Sequence, residues 1–262
     1  MSYTIGLIGY GRIGRDLAGR VAADPDFDLE YVYVRSEKEE LPGSVQISDP
    51  EELSDRPVDA AIEAATPAAL EALAEPVMAA SDLFVLSGSA FADPAIEERL
   101  TDLAAASDHE MYLPHAALFG IDGLVDARSE LESVHIEATK APGHLDFEYA
   151  GEDLEVVPEA IEGRTVIYEG STRGLCRRFP RNFNSHAAMA MAGLGLDETT
   201  SRLVADPEAT TAKHVITATG EGFELEAVRD SEIAGVTGDY TLVSTWGSVR
   251  RVLRADEGPQ FV

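Results

Sequence analysis

Short apolar runs alternate with amphipathic stretches between Thr4 and Leu113. The runs have the length and composition of buried strands and lie at Thr4–Ile8, Leu29–Val34, Val58–Ala64, Leu83–Leu86 and Met111–Leu113. The stretches between them have helical character and lie at Arg12–Ala23, Pro67–Ala80 and Pro94–Ala106. Since strands that alternate with helices form a parallel sheet covered on both faces, this part of the chain is predicted to be an α/β doubly wound domain.

The pattern changes after about Gly120, where a helix is followed mainly by strands. The strand-like segments are Ser133–Thr139, Thr165–Tyr168, Ser201–Ala205, His214–Ala218 and Phe223–Val228. A helix rich in small residues, Ser185–Gly195, interrupts them, and Tyr240–Leu253 has helical periodicity. We expect an α+β substrate domain at residues 116–237, with one mixed sheet covered by helices on one face. The first domain is expected to comprise residues 1–115, with the last helix returning to it from 238–262.

A glycine-rich turn joins the first predicted strand to the first predicted helix. It reads Gly9-Tyr10-Gly11-Arg12-Ile13-Gly14. In this context Gly9 permits a tight turn, Gly11 lets a pyrophosphate approach the backbone, and Gly14 allows the helix to pack closely on the strand. The turn therefore predicts a Rossmann dinucleotide site that includes Arg12 and Ile13. A purely structural turn is the alternative.

The end of the second strand bears on the choice of nicotinamide cofactor. An acid at this place selects NAD by bonding the ribose hydroxyls, whereas an arginine accommodates a 2′-phosphate. Arg35 and Ser36 stand here, and both can hold a phosphate. NADP(H) is therefore the preferred cofactor, and NAD(H) stays open because Glu37 or Glu39 could reach the ribose instead.

The composition is strongly acidic, with 48 Asp and Glu against 20 Lys and Arg and a formal net charge of -28. Such a charge repels nucleic acid. Lysine occurs only at Lys38, Lys140 and Lys213, and the acids are spread along the whole chain. This combination resembles the surface of a halophilic protein, which needs salt to screen its self-repulsion. An ordinary acidic protein is the alternative.

Other features of the composition favour a cytoplasmic protein. No run approaches the ~20 apolar residues of a membrane span, and Met1–Gly9 is too short and uncharged for a secretory leader. The single cysteine, Cys176, excludes an internal disulfide and a multi-cysteine metal cluster, and its default role is buried packing. We expect no membrane partner.

Several segments resemble the L-aspartate dehydrogenase family over most of the chain. They are Leu86–Asp93, Tyr168–Ser171 with Phe179–Asn184, Val204–Pro207 with His214, and Ile136–Pro142. The resemblance implies reversible hydride transfer between an amino acid's α-carbon and a nicotinamide, through an imine that water hydrolyses to the oxo acid and ammonia. It also implies a homodimer formed through the sheet of the substrate domain, and cofactor contacts from Ala65, Ser87 and Ser89.

The family places a histidine beside the substrate at the position of His214, so this residue is the expected catalytic acid/base. An ordinary histidine pKa near 6.5 suits such proton movement. Without the resemblance, a histidine that opens a strand is more often a packed or surface residue.

Other polar residues each have two interpretations. Asn182 and Asn184 could present their amides to the substrate or the nicotinamide, or could cap the following helix. Asp206 could orient His214 or form a turn. Lys140 could hold a substrate carboxylate or lie on the surface.

Three residues depart from the family. His115 and Phe119, on either side of Ala117, occupy a segment where small side chains are typical, and His186 also replaces a small residue. If His115, Ala117 and His186 contact the substrate, the enzyme acts on a different oxo acid, imine or sugar-like carbonyl; otherwise the histidines point away. The spacing of the histidines does not predict a zinc site, so no metal is expected. A nucleotide sensor without catalysis is a third hypothesis.

Overall fold

The computed structural model describes residues 2–151, 154, 158–234 and 237–254. These residues form two compact units. One comprises residues 2–90, 94–114 and 245–254, and the other comprises the described residues of 91–93 and 115–244. Compared with the expected bounds, residues 91–93, His115 and residues 238–244 lie in the second unit.

The first unit is built around a parallel sheet. Its strands are β1 (Tyr3–Ile8), β2 (Phe27–Tyr33), β3 (Gln46–Ile47), β4 (Ala60–Glu63), β5 (Leu83–Val85) and β6 (Met111–Tyr112). Its helices include α1 (Arg12–Ala23), α2 (Glu51–Asp55), α3 (Pro67–Met78) and α4 (Pro94–Ala106). The strand order β3-β2-β1-β4-β5-β6, all parallel, is that of a doubly wound Rossmann sheet and confirms the predicted fold class. The short β3 and α2 escaped prediction because neither spans enough residues to show a period.

The second unit contains a mixed sheet. Its elements are α5 (Ile121–Ala127), β7 (Leu131–Lys140), β8 (Thr165–Ser171), α6 (Thr172–Arg178), α7 (Asn184–Ala192), α8 (Gly195–Glu198), β9 (Thr200–Ala205), β10 (Ala212–Gly220), β11 (Phe223–Ser231), β12 (Ile233–Ala234) and β13 (Thr237–Gly238). In the larger sheet, ordered β11-β10-β7-β9-β8, only β7 and β9 pair in parallel. The α+β class is therefore confirmed. The helix predicted at Ser185–Gly195 ends at Ala192, and α6 was not predicted.

One face of this mixed sheet is buried. Every second residue of β10 is buried, beginning at Ala212 and His214, and β7 is buried at Ala138 and Lys140. His214 lies opposite Ala138 in the register, so His214 and Lys140 share the inner face. Helix α7 contributes buried residues along almost its whole length.

Helix α9 (Asp239–Leu253) is divided between the two units, since its residues from Thr245 onward belong to the first unit and its residues up to Ser244 belong to the second. The ring of Trp246 packs edge-on against Phe27, with centroids 4.8 Å apart, and Val249 is fully buried in the same apolar cluster. Among the residues that the structure describes, the helices lack the combined length and apolar character of a membrane span.

Candidate active site

The glycine turn after β1 has the geometry that a dinucleotide requires. Gly9 adopts a positive φ of 95°, which favours glycine, and a Cβ on Gly14 would stand 2.3 Å from the carbonyl oxygen of Gly9. A Cβ on Gly11 would meet no heavy atom within 4 Å, so the space beside it is open. Arg12 and Ile13 begin α1, and no side chain caps this end of the helix. The residues therefore fit a pyrophosphate bound at the N-terminus of α1.

Exposed polar side chains follow β2. Arg35 and Ser36 are exposed, and Nζ of Lys38 lies 3.4 Å from Oγ of Ser36. Glu37 and Glu39 are exposed as well, so the side chains of both are accessible to a ribose. The sequence had not indicated Lys38, although its rarity as one of three lysines was a signal.

Glu63 is a buried carboxylate that sequence reasoning missed. It ends β4 with no exposed surface and accepts hydrogen bonds from the amides of Ala65 and Ser87, at 2.8 and 2.9 Å, and from the Ser87 hydroxyl at 2.8 Å. Burial raises the pKa of this carboxyl, against the effect of its hydrogen bonds. Glu63 thus joins the loops after β4 and β5 that carry Ala65, Ser87 and the buried Ser89. The signal in the sequence that could have indicated Glu63 was an acidic residue within an otherwise apolar strand.

In the second unit, His214 lies on β10 with 2% of its surface exposed. The guanidinium of Arg229, on β11, approaches it with Nη1 at 3.1 Å from Nδ1 of His214 and donates also to the carbonyl of Ala212 at 3.2 Å. The ring of His186, on α7, lies 5.4 Å from that of His214 between centroids, at 69°. His186 is fully buried and lies against the ring of His214, which excludes the alternative that it points away from this residue.

Lys140 lies at the buried end of β7, which excludes the surface role considered for it. Its Nζ donates to the carbonyl of Asn182 at 3.2 Å and lies 4.7 Å from the centroid of the Phe183 ring. Burial, with the nearby charge of Arg229, lowers the pKa of Lys140 to about 7. The ammonium is therefore close to losing its proton at neutral pH.

The two buried histidines do not titrate near neutrality. Burial lowers the pKa of both His186 and His214 well below 6.5, and the charge of Lys140 lowers each further. The expectation of an ordinary pKa for His214 is therefore wrong, because the ring is removed from water and lies near the positive charges of Lys140 and Arg229. Both imidazoles are neutral at pH 7.

Lys140, His186, His214 and Arg229 together form what we call the basic cluster. Among the described residues, none of these side chains makes an ion pair with a carboxylate. Burial lowers the pKa of Arg229, and the charge of neighbouring Asp230 opposes this effect. Within the same part of the chain, Nε2 of both histidines and Nε and Nη2 of Arg229 are buried without a hydrogen-bond partner. The cluster therefore has unused donors and excess positive charge.

The structure decides several of the open interpretations of polar residues. The Asn182 amide donates to the carbonyl of His144 and accepts from the amide of Asp146, both at 2.8 Å. Asn184 is the first residue of α7, whose capping position is occupied by Phe183 without a side-chain hydrogen bond. The capping interpretation of Asn182 is therefore wrong, and Asn184 lies inside the helix instead of at its capping position.

Asp206 forms a turn, since its side chain accepts from the amide of Glu208 at 3.0 Å. The Nδ1 atom of His214 faces Arg229 instead, so Asp206 does not orient this histidine. The single cysteine, Cys176, is fully buried, and burial raises its pKa to about 12, in keeping with a packing role.

The segment that contains His115 is strained at Ala116, which has a positive φ of 47°. Nδ1 of His115 contacts the carbonyl of Leu118, and its ring lies 6.4 Å from that of Tyr240. Ala117 is half-buried and Phe119 is exposed. Across the described part of the chain, no three metal-ligating side chains come together, so His115, His186 and His214 do not form a zinc site there.

Comparison with known proteins assigns the family. Residues 122–252 match the family model described as aspartate dehydrogenase, C-terminal. A relative from Xenopus tropicalis, an aspartate dehydrogenase domain-containing protein, is 32% identical over 94% of this chain and 93% of its own length. An L-aspartate dehydrogenase from Brucella anthropi is 36% identical over 84% of each chain. The chain belongs to the aspartate dehydrogenase family.

The first unit also has its own match in the comparisons. Residues 9–114 match the NAD binding domain of homoserine dehydrogenase, so this unit is a nicotinamide dinucleotide-binding domain. The crystal structure of aspartate dehydrogenase from Thermotoga maritima resembles the whole chain, with a TM-score of 0.75 at 24% identity and full coverage of both chains. That likeness supports the common fold of the family. The matched range of the aspartate dehydrogenase model includes every residue of the basic cluster.

Proposed function

We propose that this chain is an NAD(P)-dependent L-aspartate dehydrogenase, which interconverts L-aspartate with oxaloacetate and ammonia through an imine. The observation that carries the proposal is the basic cluster, which is buried and makes no ion pair with a carboxylate within the part of the chain that the structure describes. L-Aspartate and oxaloacetate are dicarboxylates, and their two negative charges complement Lys140 and Arg229.

The energetic argument concerns unpaired buried cations. Removing an ammonium or guanidinium from water costs several kcal/mol unless an anion or good hydrogen bonds compensate. This chain has 48 acidic residues against 20 basic ones, so carboxylates were abundant as partners. Their exclusion from the basic cluster is explained if the substrate supplies the negative charge.

His214 is proposed to contact the reacting part of the substrate through its buried Nε2. Because the ring is neutral, it acts there as a hydrogen-bonding group of fixed orientation, held by Arg229. Lys140, with a pKa of about 7, can hold a carboxylate and is also able to exchange a proton near neutral pH. Asn182 is proposed to act indirectly, because its backbone carbonyl accepts from Lys140.

The cofactor is proposed to bind across the glycine turn, with Gly9, Gly11 and Gly14 beside the pyrophosphate. When bound, the nicotinamide supplies the hydride acceptor or donor. Arg35, Ser36 and Lys38 together suit a 2′-phosphate, so NADP(H) is the preferred form. NAD(H) is the alternative, through Glu37 or Glu39.

A second candidate is oxidoreduction of a different oxo acid. It is favoured by His186, which stands where the family typically has a small residue and lies against His214. The larger side chain reduces the space beside that ring. We further propose that the chain forms the family's homodimer through its five-stranded sheet.

The deciding experiment follows NADPH and NADH oxidation by absorbance with oxaloacetate and ammonium, in a series of potassium chloride concentrations up to about molar. Pyruvate is the matched control because it has the same oxo acid group without the second carboxylate. We expect kcat/KM to be at least about 100-fold higher for oxaloacetate, because a buried cation without its anion is costly. Activity should rise with salt if the acidic surface requires screening.

Other outcomes separate the alternatives. Equal or better turnover of pyruvate would favour the second candidate. Tight cofactor binding without turnover of any oxo acid would indicate a nucleotide sensor.

A further inference from the structure

A series of hydrogen bonds links His186 to the carbonyl of Thr199 through two hydroxyl groups. Nδ1 of His186 lies 3.1 Å from Oγ of Ser201, and this hydroxyl lies 2.8 Å from Oγ1 of Thr172. The Thr172 hydroxyl donates in turn to the carbonyl of Thr199 at 3.0 Å.

The direction of each hydrogen bond in this series follows from the number of protons that each group can donate. A carbonyl oxygen can only accept, so the single hydroxyl proton of Thr172 is used on Thr199. The arrangement that uses all of these contacts has Ser201 donating to Thr172 and its oxygen accepting from Nδ1 of His186. In that arrangement His186 has its proton on Nδ1, and its Nε2 is an unprotonated acceptor.

The opposite argument applies to His214. A guanidinium has only donors, so Nδ1 of His214 must accept from Nη1 of Arg229. The proton of this neutral ring is therefore on Nε2. Space for the guanidinium depends on Gly238, where a Cβ would stand 2.2 Å from Nη2 of Arg229.

The Nε2 atoms of the two rings therefore have opposite hydrogen-bonding roles. Both Nε2 atoms are buried and lack a partner among the described residues, and the ring centroids are 5.4 Å apart. One Nε2 accepts a hydrogen bond and the other donates one. Because burial and Lys140 lower the pKa of both rings, protonation does not abolish this difference at neutral pH.

We propose that the two histidines form a donor–acceptor pair that orients the substrate's amino-bearing carbon. Nε2 of His186 accepts from the amino group, and Nε2–H of His214 donates to a carboxylate or carbonyl oxygen. This rests on the proposed function, because an α-amino acid presents N–H donors and carboxylate acceptors on the same carbon. His186 is then a specificity-determining residue, and no bond is made or broken by it.

The direct test is NMR on the full-length protein with 15N-labelled histidine, at about pH 7.5. Two-bond and three-bond couplings between ring nitrogens and carbon-bound protons distinguish the tautomers, and His186→Gln and His214→Gln assign the signals. We expect Nδ1–H for His186 and Nε2–H for His214. The same tautomer in both rings, or a doubly protonated ring, would overturn the proposal whether or not the enzyme is active on aspartate.

The functional test is Ser201→Ala, with Ser133→Ala as its matched control. Ser133 forms a hydroxyl pair with Thr219 at 2.7 Å in the same sheet but is exposed. Ser201→Ala should shift His186 toward the other tautomer and raise KM for L-aspartate about tenfold, with KM for the nicotinamide unchanged. A change in His186 shifts no larger than that of Ser133→Ala contradicts the proposal.

The wild-type spectrum decides the tautomers even if Ser201→Ala fails to fold. If wild type shows the expected tautomers but does not turn over aspartate, the proposed function fails and the substrate assignment of the pair fails with it. If wild type turns over aspartate with other tautomers, only this inference fails.

Discussion

The carboxylate of Glu63 accepts hydrogen bonds from both the amide and the hydroxyl of Ser87, at 2.9 and 2.8 Å. A third bond comes from the amide of Ala65 at 2.8 Å. One buried side chain therefore holds the backbone at the carboxyl ends of two neighbouring parallel strands. In a doubly wound sheet, ligands bind at this edge.

Replacement of Glu63 by glutamine should weaken the hydrogen bonds that hold the backbone after β4 and β5 at this edge of the sheet. One oxygen becomes an NH2 group that faces a donor, and a buried unsatisfied donor costs about 1–3 kcal/mol. We expect the free energy of unfolding to fall by about that amount, with weaker nicotinamide binding. Urea unfolding and quenching of cofactor fluorescence measure the two effects. Glu98→Gln, at an exposed position of α4, is the control and should change neither.

His214→Ala should lower kcat by about 100-fold or more, because a positioned acid, base or donor at the reacting atoms contributes a factor of that order. Cofactor affinity should be retained. His135→Ala is the matched control, since His135 lies on the neighbouring strand and contacts Thr200 at 2.9 Å. Steady-state kinetics with L-aspartate check the prediction. Full activity in His214→Ala would exclude His214 from the mechanism.

Lys140 should make stability depend on pH. Its pKa falls from 10.5 to about 7 on folding, so between these values the unfolded chain holds a proton that the folded chain lacks. The contribution of Lys140 to the free energy of unfolding therefore rises with pH across that window, and it is lowest below about pH 7.

Lys140→Met removes this dependence. The free energy of unfolding of Lys140→Met minus that of wild type should be largest at or below about pH 7 and should decline toward pH 10.5. Urea unfolding at several pH values measures the difference, with the exposed Lys213→Met as control. A difference independent of pH would show that Lys140 keeps its ordinary pKa.

Arg35→Ala should raise KM for NADPH about tenfold or more, because a charge-assisted bond to phosphate is lost. KM for NADH should change little. The control is Arg56→Ala, which makes the same change in net charge and removes a pair with Glu52 at 3.4 Å. Better use of NADH than NADPH by wild type would instead favour the ribose contact through Glu37 or Glu39.

Much of the fold followed from the sequence because it depends on local patterns. The period of apolar residues located α1 and α4 at their observed bounds, and the glycine turn predicted the geometry seen at Gly9 and Gly14. Resemblance to the family indicated His214, whereas Lys140 was one of two open interpretations until the structure showed it buried. The short elements β3, α2 and α6 were missed because two to seven residues show no clear period.

The tertiary structure decided the environments of these residues. Only the pairing of β10 with β11 brings Arg229 to His214, and only the packing of α7 brings His186 to the same ring. The pKa of His214, the tautomers of the two histidines and the burial of Lys140 all follow from neighbours that are distant along the chain. Local sequence determines which elements form, whereas desolvation and hydrogen bonding depend on what those elements bring together in space.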